Sequence, residues 1–448
     1  MADPILAYLD QATFLAQRAT GRAQLTQLVW VYERPLDYAG LESFHENFGY
    51  GLAGRRIERS AVPFGRHRWV SAVGPAADLD VAVHPRARGA LSDWIDERAQ
   101  LPVDPEHGPG WHLGVLPMTD GSTAVSLVGS HCLFDGLGLL QTVGHAVDGT
   151  VREIGYPAPG ERPRARAVAA DAARAAREAG PAVRALRAGL RMARQRHDGP
   201  RQDGPRPDVA RPAAPAAPAG GGDDTIVLPA VSVFVDLPDW DRAAERRGGN
   251  GHSLLAGFAA ELGARMRRRA ADGTVALLIA ISDRADGDTR ANALRFARAD
   301  ITPGTADLTA TRAALRTALG AVREAPDETF ALLPLTPFIP KRAVRHMSRA
   351  VFGAKPVSCS NLGEVAAEVT RVDGTEAEYL LLRPADQNVS RREIESCGGH
   401  LVLAAGRVAG RMSIGIVGYQ PAVATTKADL RALAAAALDG CGLTATMI

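Results

Sequence analysis

His131 and Asp135, followed by Gly136, are the residues of this 448-residue chain whose types and spacing best suit chemistry. A free imidazole titrates near pH 6.5, so a histidine with one ring nitrogen facing a hydroxyl, thiol or amine takes its proton at neutral pH. An aspartate four residues on is poorly placed as a nucleophile if its carboxylate is used locally. It suits pairing with an arginine, which would hold the loop and so fix the histidine rotamer. On this reading His131 does chemistry, Asp135 holds geometry and Gly136 permits the turn that leaves the histidine unhindered. The plain alternative is a half-buried histidine beside an aspartate that caps a helix.

Positioning such a loop requires a strand before it and a helix after it. Residues 123–128 are an apolar strand pattern and residues 136–146 a helical one, so the motif would sit at a strand end, where side chains are aimed into a crevice. Residues 111–118 and 123–129 read as a hairpin around Thr119-Asp-Gly-Ser. Upstream, residues 24–33 alternate like a strand and residues 41–48 follow Asp37 as a capped helix. Downstream, strands are expected at 226–237 and 275–282, the latter buried, and helices at 252–269 and 306–324. Residues 399–405 and 412–419 should pair, and a helix over 426–438 closes the pattern. Both halves read as sheet-plus-helix layers.

Between them the composition shifts. Residues 157–224 hold an Ala/Arg-rich stretch over 165–196 and then Gly199-Pro200, Gly204-Pro205, Pro212-Ala-Ala-Pro and Gly220-Gly-Gly. The first part is helical by propensity, interrupted at Gly180-Pro181, with Val183, Leu186, Leu190 and Met192 as a narrow apolar stripe; the second part is a linker. The expected organisation is a lobe at 1–156, the helix and linker at 157–224, and a second lobe at 225–448. Residues 151–215 carry a net charge of +7, the one local basic surface. It reads either as a solvated helix crossing between lobes or as a contact for an anionic lipid surface.

Over the whole chain 52 Lys and Arg nearly balance 50 Asp and Glu, which argues against a nucleic-acid partner. Hydrophobic residues at 46% and charged residues at 23% exclude global disorder. Cys132, Cys359, Cys397 and Cys441 form no CxxC pair, so neither a disulfide framework nor a zinc site is suggested, and a cytoplasmic setting fits. No apolar stretch approaches the roughly 20 residues of a membrane span.

Leu101-Pro-Val-Asp-Pro-Glu-His-Gly-Pro-Gly-Trp111, the hairpin, and Ser130-His131-Cys-Leu-Phe-Asp135-Gly136 together resemble the wax ester synthase/diacylglycerol acyltransferase family. That family is grouped with nonribosomal peptide condensation domains and chloramphenicol acetyltransferase. Leu9-Asp10-Gln-Ala-Thr-Phe14-Leu15 is similar to its opening element. Ile281-Ser-Asp-Arg284, Arg290-Ala-Asn292, Val357-Ser-Cys-Ser360-Asn361-Leu-Gly363 and Gly410-Arg-Met-Ser-Ile-Gly415 resemble its later elements in the same order. Three departures stand out: Ser130 replaces the first histidine of HHxxxDG, Gly110 the leucine before Trp111, and Leu-Gly-Glu364 the Val-Pro-Gly-Pro ending.

The resemblance implies an α/β (α+β) pseudo-dimer of two chloramphenicol-acetyltransferase-like lobes with a central tunnel. It implies an O-acyltransferase with His131 as general base, supported by Asp135 and Gly136, with Arg284 either the partner of Asp135 or a surface arginine. Asn292, Ser360 and Asn361 would orient substrate or steady an oxyanion, or else only cap a turn and bond neighbouring strands; Trp111 is either core or tunnel wall. No bound cofactor or metal is implied. The co-substrate would be an acyl-CoA or acyl carrier protein thioester and the acceptor an alcohol or amine. A condensation-type or specialised-metabolite acyltransferase on carrier-bound substrates, and a noncatalytic lipid-binding homologue, are the alternatives.

Overall fold

The computed structural model describes residues 3–198, 224–324, 330–340 and 356–448. The Pro/Gly-rich linker read at 199–223 lies outside the described residues, as does the side chain of Met192. Among the described residues the strands run β1 (Ala23–Tyr32), β2 (Arg55–Glu58), β3 (Arg68–Ser71), β4 (Asp80–Val81), β5 (Trp111–Pro117) and β6 (Thr123–Ser130) in the first half. They continue as β7 (Thr225–Ile226), β8 (Ala230–Asp236), β9 (Val275–Ser282), β10 (Leu294–Ile301), β11 (Val357–Glu364), β12 (Tyr379–Gln387), β13 (Val389–Ser390), β14 (His400–Val408), β15 (Arg411–Tyr419) and β16 (Thr446–Met447). The helices that matter below are α1 (Tyr8–Thr20), α2 (Tyr38–Phe48), α3 (Leu91–Ala99), α4 (Gly136–Val147), α5 (Arg164–Asp198), α6 (Leu237–Arg246), α7 (Gly251–Arg265) and α8 (Thr309–Glu324).

Two large sheets carry the described residues, with two-stranded ribbons β2-β3 and β7-β13 beside them. The first has the order β12-β1-β6-β5-β4 and is antiparallel except for the β4–β5 pair. Alternation along β1 sends Leu28, Trp30 and Tyr32 into a core with Phe44 and Phe48 of α2 and Leu139 and Val143 of α4. It sends Val29 and Val31 to the opposite face, against Trp94 and Ile95 of α3. A sheet covered on both faces reads as a continuous apolar run rather than a strict alternation, and the fully buried β6 shows it.

The second sheet has the order β10-β9-β11-β14-β15-β8-β16, with β11 parallel to both β9 and β14. One face packs on α7, whose Leu254–Ala260 run is apolar all round because it lies inside the lobe. A reciprocal Asn250–Ser253 capping box starts that helix. On the opposite face β12 covers β14 and β15, and among the described residues no helix covers β9 and β11. Leu278, Ala280, Ser358, Ser360, Val402 and Ala404 are half-buried along it, so the strand at 275–282, expected to be buried, is buried on one face only.

Three other expectations change. The strand read over 226–237 is broken into β7 and β8, with Pro229 in the gap, a residue that has no N–H for a ladder. Gly180-Pro181 does not stop α5, which runs 35 residues with Pro181 inside it. A mid-helix proline costs about 3 kcal/mol; packing of the inner face against Phe330–Phe338 and the 60–66 loop offsets it. The largest change is β12, which lies beyond the linker yet pairs with β1 over nine residues, Ala23↔Gln387 to Val31↔Tyr379, as an edge strand of the first sheet. The expected second lobe at 225–448 therefore gives up β12 to the first sheet. Close approach carries the crossing: a Cβ on Gly415 of β15 would overlap the Leu382 carbonyl of β12, and one on Gly406 of β14 would lie 2.6 Å from the Leu382 side chain.

Candidate active site

β6 ends at the fully buried Ser130, and the chain turns through His131–Phe134 into α4. Backbone bonds pin the turn: Ser130 N donates to Gly110 O at 3.0 Å, His131 N to Gln24 O at 3.0 Å and Leu133 N to Ser130 O at 2.9 Å. The Ser130 hydroxyl accepts from Cys132 N at 3.2 Å. The residue that replaces the first histidine of the motif therefore closes the loop from inside. Gly110 has its own reason, since a Cβ there would lie 2.6 Å from Leu133 Cδ1.

The His131 ring is half-buried, with Nδ1 walled off and without a partner. Among the described residues Nε2 meets no hydrogen-bond partner, and unlike Nδ1 it is not enclosed, so this nitrogen is the one free to meet a substrate. Cys132 next to it is buried against Gln17, and burial pushes its thiol up to about 12, which removes it as a nucleophile.

Asp135 caps α4 and ties it to the second lobe. One carboxylate oxygen accepts Gly138 N at 2.7 Å; the other accepts Ala293 N at 2.9 Å and Arg284 Nη2 at 2.8 Å. Its own N–H donates to Ala291 O at 2.8 Å. Asp135 and Arg284 are each about 1% exposed, so this is a buried ion pair. Losing either partner would leave a buried charge unmatched, at a cost of roughly 3–5 kcal/mol.

Gly136 does not have the positive φ of a turn glycine. It is the first residue of α4, and a Cβ there would lie 2.8 Å from Leu362 Cδ2 of the second lobe. A Cβ on Gly138 would lie 2.9 Å from Arg284 Nη2. The glycines are thus small because the lobes close on them, and the expected role in the turn is corrected accordingly.

A second carboxylate grips the same segment. Asp10 on α1, fully buried, accepts Ala291 N at 3.0 Å, Asn292 N at 2.8 Å and Asn292 Nδ2 at 3.3 Å. Desolvation raises the Asp10 pKa against these hydrogen bonds and the nearby Arg55 charge. Asn292 Nδ2 also donates to His131 O at 3.1 Å, so its amide is spent on holding the loop. Arg55 completes the clasp. It donates to Leu133 O at 2.7 Å and to Thr289 O, and its guanidinium lies 3.7 Å from the Trp69 ring centroid. Sequence reasoning missed Arg55, for which Gly54-Arg55-Arg56 gives no signal, and quoted Asp10 only within the resemblance.

The remaining candidates separate. Register puts Ser360 opposite Ala280 and Ala404 on the half-open sheet face, where among the described residues its hydroxyl meets no hydrogen-bond partner. Asn361 is bound elsewhere, its amide meeting His252 Nδ1 at 2.8 Å and Gly363 N at 3.0 Å. Trp111 belongs to the first-lobe core, edge-on to Phe48 at 4.7 Å with Nε1 donating to Ala53 O at 3.3 Å, so it is core and not a tunnel wall. Among the described residues no group of three or more His, Cys, Asp or Glu is placed to hold a metal ion, and no helix is long and apolar enough to cross a membrane.

No family model matches the sequence, and no curated protein is similar to it. Solved structures match over the full length. The first condensation domain of the CDA synthetase is similar at 15% identity and TM-score 0.53, covering 99% of each chain. A wax ester synthase/diacylglycerol acyltransferase from Marinobacter aquaeolei VT8 is 13% identical with TM-score 0.52, over 98% of this chain and 100% of that one. TRI101 of F. sporotrichioides, solved with coenzyme A and T-2, is 12% identical with TM-score 0.55 over 100% of both. The chain has the two-lobed chloramphenicol-acetyltransferase-like fold that condensation domains share.

Proposed function

We propose that this two-lobed protein is an acyltransferase in which His131 is the general base. The observation that carries the reading is a histidine with an unbonded Nε2, on a loop pinned from both lobes by Asp135, Arg284, Asp10 and Asn292. A clasp of this kind holds a ring where a proton is to be moved, and removes the need to reorganise during the reaction.

The donor is a thioester, of coenzyme A or a carrier protein, and the acceptor is an alcohol, with an amine as the second choice. Substrates meet at the seam between the lobes, along a tunnel passing His131. Nε2 takes the acceptor proton as the oxygen attacks the thioester carbonyl. The C–S bond then breaks, and the imidazolium returns the proton to the departing thiolate. Ser360, whose hydroxyl is unspent and on the half-open face, is the donor best suited to the oxyanion or to the substrate carbonyl. Asn292 and Asn361, both bonded within the protein, position neighbours instead. The fold shared with condensation domains and with wax ester synthase supports the reaction class.

Thiol release from acyl-CoAs of graded chain length, with a panel of alcohols and amines, tests this. Acceptor-dependent release that falls about 100-fold or more in His131→Ala is the expected result. Equal turnover in wild type and His131→Ala overturns the assignment of the base. No release from any pair, repeated with acylated carrier protein, overturns the enzyme reading in favour of a noncatalytic lipid-binding protein.

A further inference from the structure

A surface helix normally turns its large apolar residues inward, and α5 does the reverse. Its inner face is small: Ala167, Ala182 and Ala185 are buried against the body. The two acids before residue 192 also turn inward, Asp171 to Arg162, Ser60 and Ala61, and Glu178 to Arg66 at 3.0 Å. What remains outside are the branched aliphatics. Val168 is 40% exposed, Val183 46%, and Leu186 and Leu190 51% each.

At 100° per residue these four fall on one row with the exposed Ala172, Ala176 and Ala179. The row spans 23 residues, about 33 Å from Val168 to Leu190, without a charged side chain. Beside it, at spacings of 11, 7, 3 and 4 residues, stand Arg166, Arg177, Arg184, Arg187 and Arg191, all exposed. Among the described residues none of the five pairs with a carboxylate. Phe64 and Phe338 stack at 6.3 Å and stay exposed beside the helix, on segments that pack against it.

We propose that the outer side of α5 docks on an anionic lipid surface, aliphatic row down and arginine row on the phosphates. Charge complementarity and the continuous apolar row select this occupant. A lipid surface takes both rows at once, the acyl layer receiving the aliphatic side chains along the whole row of about 33 Å and the phosphates the arginines. The inference stands apart from the acyl-transfer reading, because no residue in it touches the His131 clasp.

The test is flotation of the full chain with phosphatidylcholine vesicles, with and without phosphatidylglycerol. Binding to the phosphatidylglycerol vesicles alone is expected, weakened at high salt. Leu186→Asp with Leu190→Asp, and separately Arg184→Gln with Arg187→Gln and Arg191→Gln, should each lower the bound fraction's affinity about tenfold or more, with the melting temperature unchanged. Absence of binding to either vesicle, equal binding to both, or a loss on removing arginines that the aspartate pair does not reproduce would each overturn the proposal, the last marking a general polyanion patch.

Discussion

The buried pair Asp135–Arg284 makes the sharpest demand of any two side chains. Asp135→Asn keeps one oxygen, for the α4 cap, and sets its NH2 against two donors, Ala293 N and the guanidinium of Arg284, in a site about 1% exposed. It is expected to lower unfolding free energy by roughly 3 kcal/mol, read by denaturant titration, and to lower activity with it. Ser130→Ala removes only the hydroxyl that receives Cys132 N. A loss of about 1 kcal/mol with turnover within a few-fold of wild type is expected, and a collapse of turnover would mean that Ser130 has a part in the reaction. His131 and Asp135 were legible from residue types and spacing, and so was the need of Asp135 for an arginine; that the arginine is Arg284 came only through the family resemblance. Arg55 was not, since its partners are backbone carbonyls 78 and 234 residues away, which no side-chain pattern announces.

Among the elements, β12 and the 288–293 segment decide how the lobes are joined. Gly415→Ala places a Cβ against a backbone carbonyl that cannot swing aside. It should cost about 1–3 kcal/mol and be visible as a lower melting temperature, whereas Gly410→Ala, at φ 71 in the β14–β15 turn with open space around it, tests backbone strain alone. The hairpins and helices of each lobe were readable because their periodicities are local, as at β5–β6 or the Asp37-capped α2. The assignment of β12 to the first sheet was not. Its run Tyr-Leu-Leu-Leu-Arg-Pro-Ala-Asp-Gln is not read as a strand at all, Pro384 interrupting it, and nothing in a short apolar run says which sheet it joins. The half-open face of the second sheet escaped for a related reason, because Val275–Ser282 is apolar whether it faces a helix or a cleft.

For the molecule as a whole, buried neutral histidines set the acid limit. Burial pushes both His67 and His112 down to about 4, and lowers His400 beside Asp386 and Arg22. A histidine whose folded pKa is depressed contributes stability at pH above its unfolded value near 6.5, and that contribution is lost as the pH falls from there toward the folded value. Melting temperature should therefore decline between about pH 6.5 and pH 4, ahead of carboxylate titration. In His67→Asn or His112→Asn the slope should be shallower across that window, and an unchanged slope would show that these rings do not govern it. The crossing strand has another consequence, in time. β1 pairs with β12, which the ribosome makes about 350 residues later; at about 5–20 residues per second the β1 edge waits roughly 20–70 s for its partner. During that interval the nascent first lobe exposes Leu25–Val31 as an unpaired apolar border, so slowing translation or lacking a chaperone should penalise this chain's yield more than its final stability would suggest.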